Sequence, residues 1–205
     1  MEKSVKVNFS LFPTLVAYHN GVLAYEQSVD IFKLCKTKHA AEHALLIGDA
    51  SSTHDLKSDV LSEVEQLPSC KGLVLRLTKL CNEYMRDYGN PVDVEIGNSW
   101  FNFQQVGSRL TNHVHANSFL SAALYINVNP KVDKLVFETP NPHTAVFNPH
   151  PPEGRAPFSD ELFYVGTNPG SLVIFPSWLK HGSNGAVNQT EDRLVVSFNA
   201  HIKAR

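Results

Sequence analysis

The chain has 205 residues, enough to bury a substantial core, and that length is most natural for one domain. Its 18 basic and 20 acidic residues give a formal net charge of -2, which offers no electrostatic case for nucleic acid or a membrane surface. No apolar run reaches bilayer-spanning length, and Met1-Glu2-Lys3-Ser4-Val5 lacks the basic-then-apolar secretory pattern, so the expected location is cytoplasmic. Cys35, Cys70 and Cys81 are three in number without CxxC spacing, which argues against a disulfide framework or thiolate metal site and for reduced, buried side chains.

Taken in chain order, Val5 to Val16 alternates partly and carries Pro13, the pattern of an edge strand. Residues 28–44 read as a helix. Ser58-Asp59 offers a cap for a short helix that Pro68 would stop. Between Cys70 and Tyr88, the residues Leu73, Leu77, Leu80, Cys81 and Tyr84 recur at helical spacing, and Gly89-Asn90-Pro91 ends that helix. From Val92 the period changes to two, with strands expected near 98–106, 110–115, 119–128, 133–138, 171–176 and 192–202. The fold class is therefore mainly β with N-terminal helices (α+β): a helical part over about 1–91 and a barrel core over about 92–205, the helices packed on one face.

The strands share a second regularity. One face carries Trp100, Asn102 and Gln104; His113 and His115; Ser121, Tyr125 and Asn127; Arg193, Ser197 and Asn199. The other carries Phe101, Phe103, Leu120, Leu124, Ile126, Leu194, Val196 and Phe198. A solvated sheet face would be rich in Lys and Glu. Amides, histidines, aromatics and one arginine suit the inside of a barrel around a small polar ligand. The Pro- and Gly-rich stretch from Pro140 to Pro169 reads as a long loop over the barrel mouth.

His113-Val-His115 places two imidazoles on one side of an extended segment. His181, just past the buried segment Gly170–Pro176, can supply a third, and such a set suits a first-row transition metal. Arg193 presents a planar fork matched to a carboxylate. The hairpin chemistry of Gly182-Ser183-Asn184-Gly185 places His181 and Arg193 on adjacent strands, with the arginine deeper. His143 and His150 fall on the loop, and His19, His39, His43, His54 and His201 have no supporting context.

Four segments carry a family resemblance: Asn98-Ser99-Trp100-Phe101-Asn102, His113-Val-His115 leading to Ser121 and Tyr125, Phe175-Pro176-Ser177-Trp178-Leu179-Lys180-His181, and Arg193-Leu194-Val195-Val196-Ser197-Phe198-Asn199. Over roughly 96–202 the chain resembles a bacterial and phage 2-oxoglutarate–Fe(II) oxygenase family related in fold to the prolyl 4-hydroxylases. The resemblance implies a double-stranded β-helix (a jelly-roll, cupin-like barrel) that binds Fe(II) and 2-oxoglutarate. It further implies a dioxygenase that hydroxylates a small molecule or protein side chain and releases succinate and CO2. In that frame His113, His115 and His181 are the metal candidates. Arg193, Tyr125 and Ser197 face the co-substrate carboxylate, and Trp100 and Asn102 line the pocket. The wider superfamily has HxD or HxE where this chain has His113-Val-His115, so either His115 is a third ligand or water takes that place. Ala122 and Asn141 stand where glycine and arginine are expected. A cupin-type metalloprotein without a 2-oxo acid, or a non-enzymatic ligand-binding barrel, are the alternative readings.

Overall fold

The molecule, described by a computed structural model over residues 14–56, 59–141, 143 and 161–203, is built from three helices and eleven strands. The most regular helix, α3 (Leu73–Asp87), buries Leu73, Leu77, Cys81, Tyr84 and Met85 on one stripe. Each of its two fully buried leucines contributes about 1.5–3 kcal/mol by leaving water. Its first turn is capped from a distance, because the Glu65 carboxylate accepts hydrogen bonds from the Gly72 and Val74 amides at 2.5 and 2.9 Å.

Helix α1 (Tyr25–Lys36) begins and ends earlier than its sequence pattern predicts. The Gln27 side chain accepts from the Ala24 amide at 2.9 Å and closes the first turn. At the far end, Thr37 donates through Oγ1 to the Leu34 carbonyl, and the next residues leave for sheet pairing, with Ala41 and Ser52 exchanging backbone bonds of 3.0 and 2.8 Å. Helix α2 (Val60–Val64) is capped by Asp59, which accepts from the Ser62 amide. It ends before Pro68, which opens a 3-10 turn of its own, Pro68–Cys70. Ser58 lies outside the described residues. All three cysteines are free and buried, as expected.

The strands are β1 (Ala17–His19), β2 (Leu46–Ile47), β3 (Ala50–Ser52), β4 (Val94–Gln104), β5 (Arg109–Leu110), β6 (Leu120–Asn127), β7 (Lys134–Glu138), β8 (Leu162–Gly166), β9 (Leu172–Pro176), β10 (His181–Gly182) and β11 (Arg193–Ile202). The major sheet runs β1-β9-β6-β11-β4-β3 and the minor sheet β10-β7-β8, all antiparallel, with β2-β5 as a separate pair. Mostly antiparallel sheets around one cavity make the double-stranded β-helix, with the helices against the outer face of the major sheet.

The two-faced pattern holds. Phe101, Leu120, Leu124, Ile126, Leu194, Val196 and Phe198 share a core with the helical residues Ile31, Leu61, Leu77 and Met85. Trp100, Asn102, Gln104, Ser121, Tyr125, Arg193, Ser197 and Asn199 line the cavity instead. Asn127 departs from the pattern. The β6–β11 register shifts between Leu194 and Val195, and the Asn127 amide is spent on the Glu191 and Asp192 carbonyls.

Three other expectations need correcting. The edge strand is β1, after Val5–Val16; of that segment, residues 14–16 are not strand and 5–13 lie outside the described residues. The expected strand 110–115 is only β5 plus an isolated bridge between His113 and His181. The stretch 140–169 contains β8, which pairs along its whole length with β7, so that part is sheet rather than loop. Residues 144–160, His150 among them, lie outside the described residues.

Candidate metal centre

The histidines come together through backbone pairing of two non-adjacent segments. His113 and His181 exchange amide-to-carbonyl bonds of 2.9 and 3.0 Å, and the His115 amide donates to the Ser177 carbonyl at 2.9 Å. Gly182 permits this approach: a Cβ there would sit 2.8 Å from the Asn112 Cα. The Asn112 side chain ties the junction further, accepting from the Asn184 amide and donating to Glu138.

One donor atom from each of His113, His115 and His181 lies within 4.8 Å of the other two. The His115 and His181 rings are nearly parallel, 8° apart, with centroids at 5.2 Å, and His113 leans over both. Two rings have a fixed tautomer. His113 Nδ1 donates to the Thr111 carbonyl at 2.9 Å and His181 Nδ1 to the Leu179 carbonyl at 2.8 Å. Each is left with an Nε2 lone pair, and a partner of this kind is what orients a metal-bound imidazole. Behind them stand Trp100, stacked on His115 at 5.6 Å, and Phe175, edge-on to His181 at 4.4 Å.

This packing decides the charge of the cluster. Burial, then the neighbouring His113, holds His115 down to about 4, and burial holds His181 down to about 3, both from 6.5. Burial also lowers His113. Neutral imidazoles are the form that binds a cation. No carboxylate joins this group among the described residues. The donor set therefore fits a first-row divalent ion held by three neutral nitrogens, and Fe(II) is such an ion.

The same shifts fix a stability dependence for the metal-free chain. The unfolded chain takes up protons on these rings as pH falls below 6.5, while the folded chain refuses them until about 4 and about 3. Their contribution is thus complete above 6.5 and is lost progressively toward those lower values. Thermal melts of metal-free protein should show a falling midpoint between pH 6.5 and 5, above the range where carboxylates titrate. A flat profile there would contradict the burial of the cluster.

The cavity holds about 560 Å³ and is walled by both sheets. His181 and Arg193, expected on neighbouring strands, stand instead on opposite sheets: β10 pairs with β7, whereas β11 pairs with β4 and β6. The loop between them crosses from one sheet to the other, so both side chains reach the same cavity from facing walls. Arg193 is preceded by Asp192 at φ 51, whose side chain is anchored by Lys36 and Gln105 rather than by the arginine. The guanidinium donates to Gln104 Oε1, has its Nε 3.5 Å from Asp133 Oδ1, and lies 6.0 Å from the Tyr125 ring centre. Tyr125 is buried, which raises its hydroxyl pKa and keeps the proton on. Ser197 and Asn102 complete this part of the wall.

Sequence reading missed several wall residues. His43, His54 and His201, which have no context in sequence, all line the cavity, and so does Asp133, which joins Gln104, already expected on this face, as a partner of Arg193. His43 falls at the end of the segment read as a helix and His54 in a stretch without periodicity, so no local pattern marks either as a wall residue. Trp178, inside the most distinctive motif, is half-exposed and outside the cavity lining.

Two antiparallel sheets closing on a cavity, with imidazoles on one wall and an arginine on the other, define a double-stranded β-helix with a candidate metal centre. Residues 98–199 match the model of the family described as "Putative 2OG-Fe(II) oxygenase". No curated protein matches the sequence. Among solved structures, a prolyl-4-hydroxylase of Pseudomonas putida is 13% identical with a TM-score of 0.60, over 93% of this chain and 94% of that one. HygX of Streptomyces hygroscopicus, solved with nickel and 2-oxoglutarate bound, is 12% identical with a TM-score of 0.57, over 93% and 84%. The viral collagen prolyl hydroxylase of Paramecium Bursaria Chlorella virus-1, a 2-oxoglutarate complex, is 8% identical with a TM-score of 0.54, over 90% and 94%. At these identities the likeness is one of fold. Through its barrel, residues 98–199, the chain belongs to the 2-oxoglutarate–Fe(II) oxygenases, whose metal is Fe(II) and whose co-substrate is 2-oxoglutarate.

Proposed function

We propose that His113, His115 and His181 hold the Fe(II), that Arg193 receives the distant carboxylate of 2-oxoglutarate, and that the enzyme hydroxylates its substrate with release of succinate and CO2. The observation that carries this reading is the grouping of three imidazole donors within 4.8 Å on a cavity whose facing wall presents Arg193. Bound iron supplies the activation of dioxygen that is coupled to oxidative decarboxylation of the co-substrate.

The chain's own groups supply the rest. His113 and His181 keep their ring protons on Nδ1, against the Thr111 and Leu179 carbonyls, so that Nε2 is the atom each would offer to the ion. A third neutral ligand in place of the usual carboxylate leaves the ion its full positive charge, which favours a dianionic co-substrate. Arg193 is held at Nε by Asp133 and at one terminal nitrogen by Gln104, and the remaining donors of its fork are available to a carboxylate. Tyr125 stays protonated and can donate beside it, with Ser197 adding a neutral bond. Trp100 and Phe175 exclude water from the back of the imidazoles. Asn102 lies on the wall open to substrate.

The test is an anaerobic titration of metal-free protein with Fe(II), then 2-oxoglutarate. A visible charge-transfer band should grow with the second addition, and admission of oxygen should yield succinate. Absence of both would sink the reading. The substrate is a small molecule or a protein side chain; a related fold from Trichoplax adhaerens was solved with a peptide fragment. The helices and the major sheet share one core, which supports the whole chain acting as a unit. No helix among the described residues is long and apolar enough to cross a membrane, and three free buried thiols suit a cytoplasmic location.

A further inference from the structure

A second group of donors stands on the cavity wall where it meets solvent. We infer that His43, His54 and Asp55 form a second divalent-cation site at the mouth of the cavity, suited to a borderline ion such as Zn(II).

The geometry is that of a cation site. His43 Nε2 lies 3.3 Å from His54 Nδ1, His54 Nδ1 lies 2.9 Å from Asp55 Oδ1, and His43 Nε2 lies 3.6 Å from Asp55 Oδ2. Ligands bonded at about 2.0–2.2 Å around a tetrahedral zinc are separated by roughly 3.4 Å. His43 Nε2, His54 Nδ1 and the Asp55 carboxylate thus already mark out one face of a coordination shell. Two imidazoles and one carboxylate are a donor set for zinc or its neighbours in the first transition row rather than for Mg or Ca, which prefer oxygen alone.

Hydrogen bonding alone does not satisfy these atoms. His43 Nδ1 accepts the Leu45 amide at 3.2 Å, which puts that ring's proton on Nε2, pointing at His54 Nδ1. His54 Nδ1 would then need to be unprotonated, yet it also faces the Asp55 carboxylate at 2.9 Å, where it must donate. With both rings neutral, one of the two contacts is repulsive. A cation between the three atoms removes the conflict. It would shift the His43 proton to Nδ1 and so open the 3.2 Å Leu45 contact, which is local to its own turn.

The placement links the site to the cavity. His43 belongs to the segment whose Leu45 carbonyl accepts the Thr111 amide at 2.8 Å, beside the first cluster. His54 opens the 3-10 turn His54–Leu56, and its ring stands edge-on to Trp100 at 4.8 Å, with Trp100 stacked on His115. A cation here would staple the 41–45 segment to that turn along one margin of the mouth. Side-chain exposures of 13%, 36% and 64% for His43, His54 and Asp55 leave the fourth position to water or to an anionic group of a substrate.

Equilibrium dialysis of the metal-free full chain against Zn(II) at neutral pH tests this by counting ions. Wild type should bind two. His181→Ala should bind one, His54→Ala one, and the double variant none. In the His181→Ala background, Asp55→Asn should weaken the remaining site without unfolding the chain, as followed by circular dichroism. The inference is overturned if the double variant binds as much as His181→Ala, or if wild type binds a single ion that His54→Ala retains. Failure of the first site reads differently: His181→Ala would then match wild type while His54→Ala still lost one ion.

Discussion

Replacing His181 with alanine is expected to abolish both Fe(II) binding and succinate formation while leaving the chain folded. His181 is the most buried of the three imidazoles, at 5% exposure, and it is held at Nδ1 by its own chain through Leu179. Its loss removes a ligand outright, so iron affinity should fall by more than the roughly 10- to 100-fold typical of losing only an outer hydrogen-bond partner. The strand pairing beneath it survives, because His113 and residue 181 are joined through backbone groups that alanine retains. Anaerobic titration reads the first effect directly, and thermal melting checks the second. An iron affinity within about twofold of wild type in a folded His181→Ala protein would rule the ring out as a ligand.

Arg193→Ala should leave iron binding nearly intact and weaken 2-oxoglutarate by about 2–4 kcal/mol, roughly 30- to 1,000-fold in the co-substrate KM. That range is the loss expected when one partner of a desolvated, charge-assisted pair is truncated. Asp133 is not stranded by the change, because it also accepts hydrogen bonds from the Asn129 amide at 2.7 Å and from Thr190 Oγ1 at 2.8 Å. Arg193→Lys is the informative companion. It keeps the charge but loses the planar fork, so it should recover only part of the affinity. Steady-state kinetics with varied 2-oxoglutarate at saturating iron separates the two parameters. A larger effect on iron than on co-substrate would reverse the assignment of roles.

Much of the barrel was legible because its strands carry two different chemistries on their two faces. Phe101, Leu124, Val196 and Phe198 on one side, against Asn102, Tyr125, Arg193 and Ser197 on the other, state both the sheet and which side holds the cavity. Helix α3 was legible for the same kind of reason: its apolar residues recur at a single period. Helix α1 was misread at its end because Ala40, Ala41 and Ala44 are good helix formers, and only the pairing of Ala41 with Ser52 draws them away. That pairing is a long-range event no local propensity reports. Strand β8 was hidden within Pro- and Gly-rich sequence and announces itself only through its partner β7.

At the site, the three imidazoles and the arginine could be read from spacing and from family likeness, but their arrangement could not. That His181 and Arg193 face each other across a cavity depends on the crossing of residues 183–192 between sheets, and a hairpin signal in that segment argues for the opposite. The partners of Arg193 were equally invisible, since Gln104 and Asp133 come from two other strand regions. His43 and His54 lie eleven positions apart. They meet only because the chain doubles back between β2 and the 3-10 turn.

The two outermost strands of the major sheet, β1 and β3, both come from the helical half of the sequence, while the stretch that matches the oxygenase family starts inside β4 and stops inside β11. A fragment cut to that stretch would keep the three clustered imidazoles yet bare two rows of unpaired amides and carbonyls, along with the greasy outer surface that α1 and α3 now cover. Such a piece would be prone to stick to copies of itself. The early helices and their short flanking strands are therefore the outer jacket and the rim of the vessel.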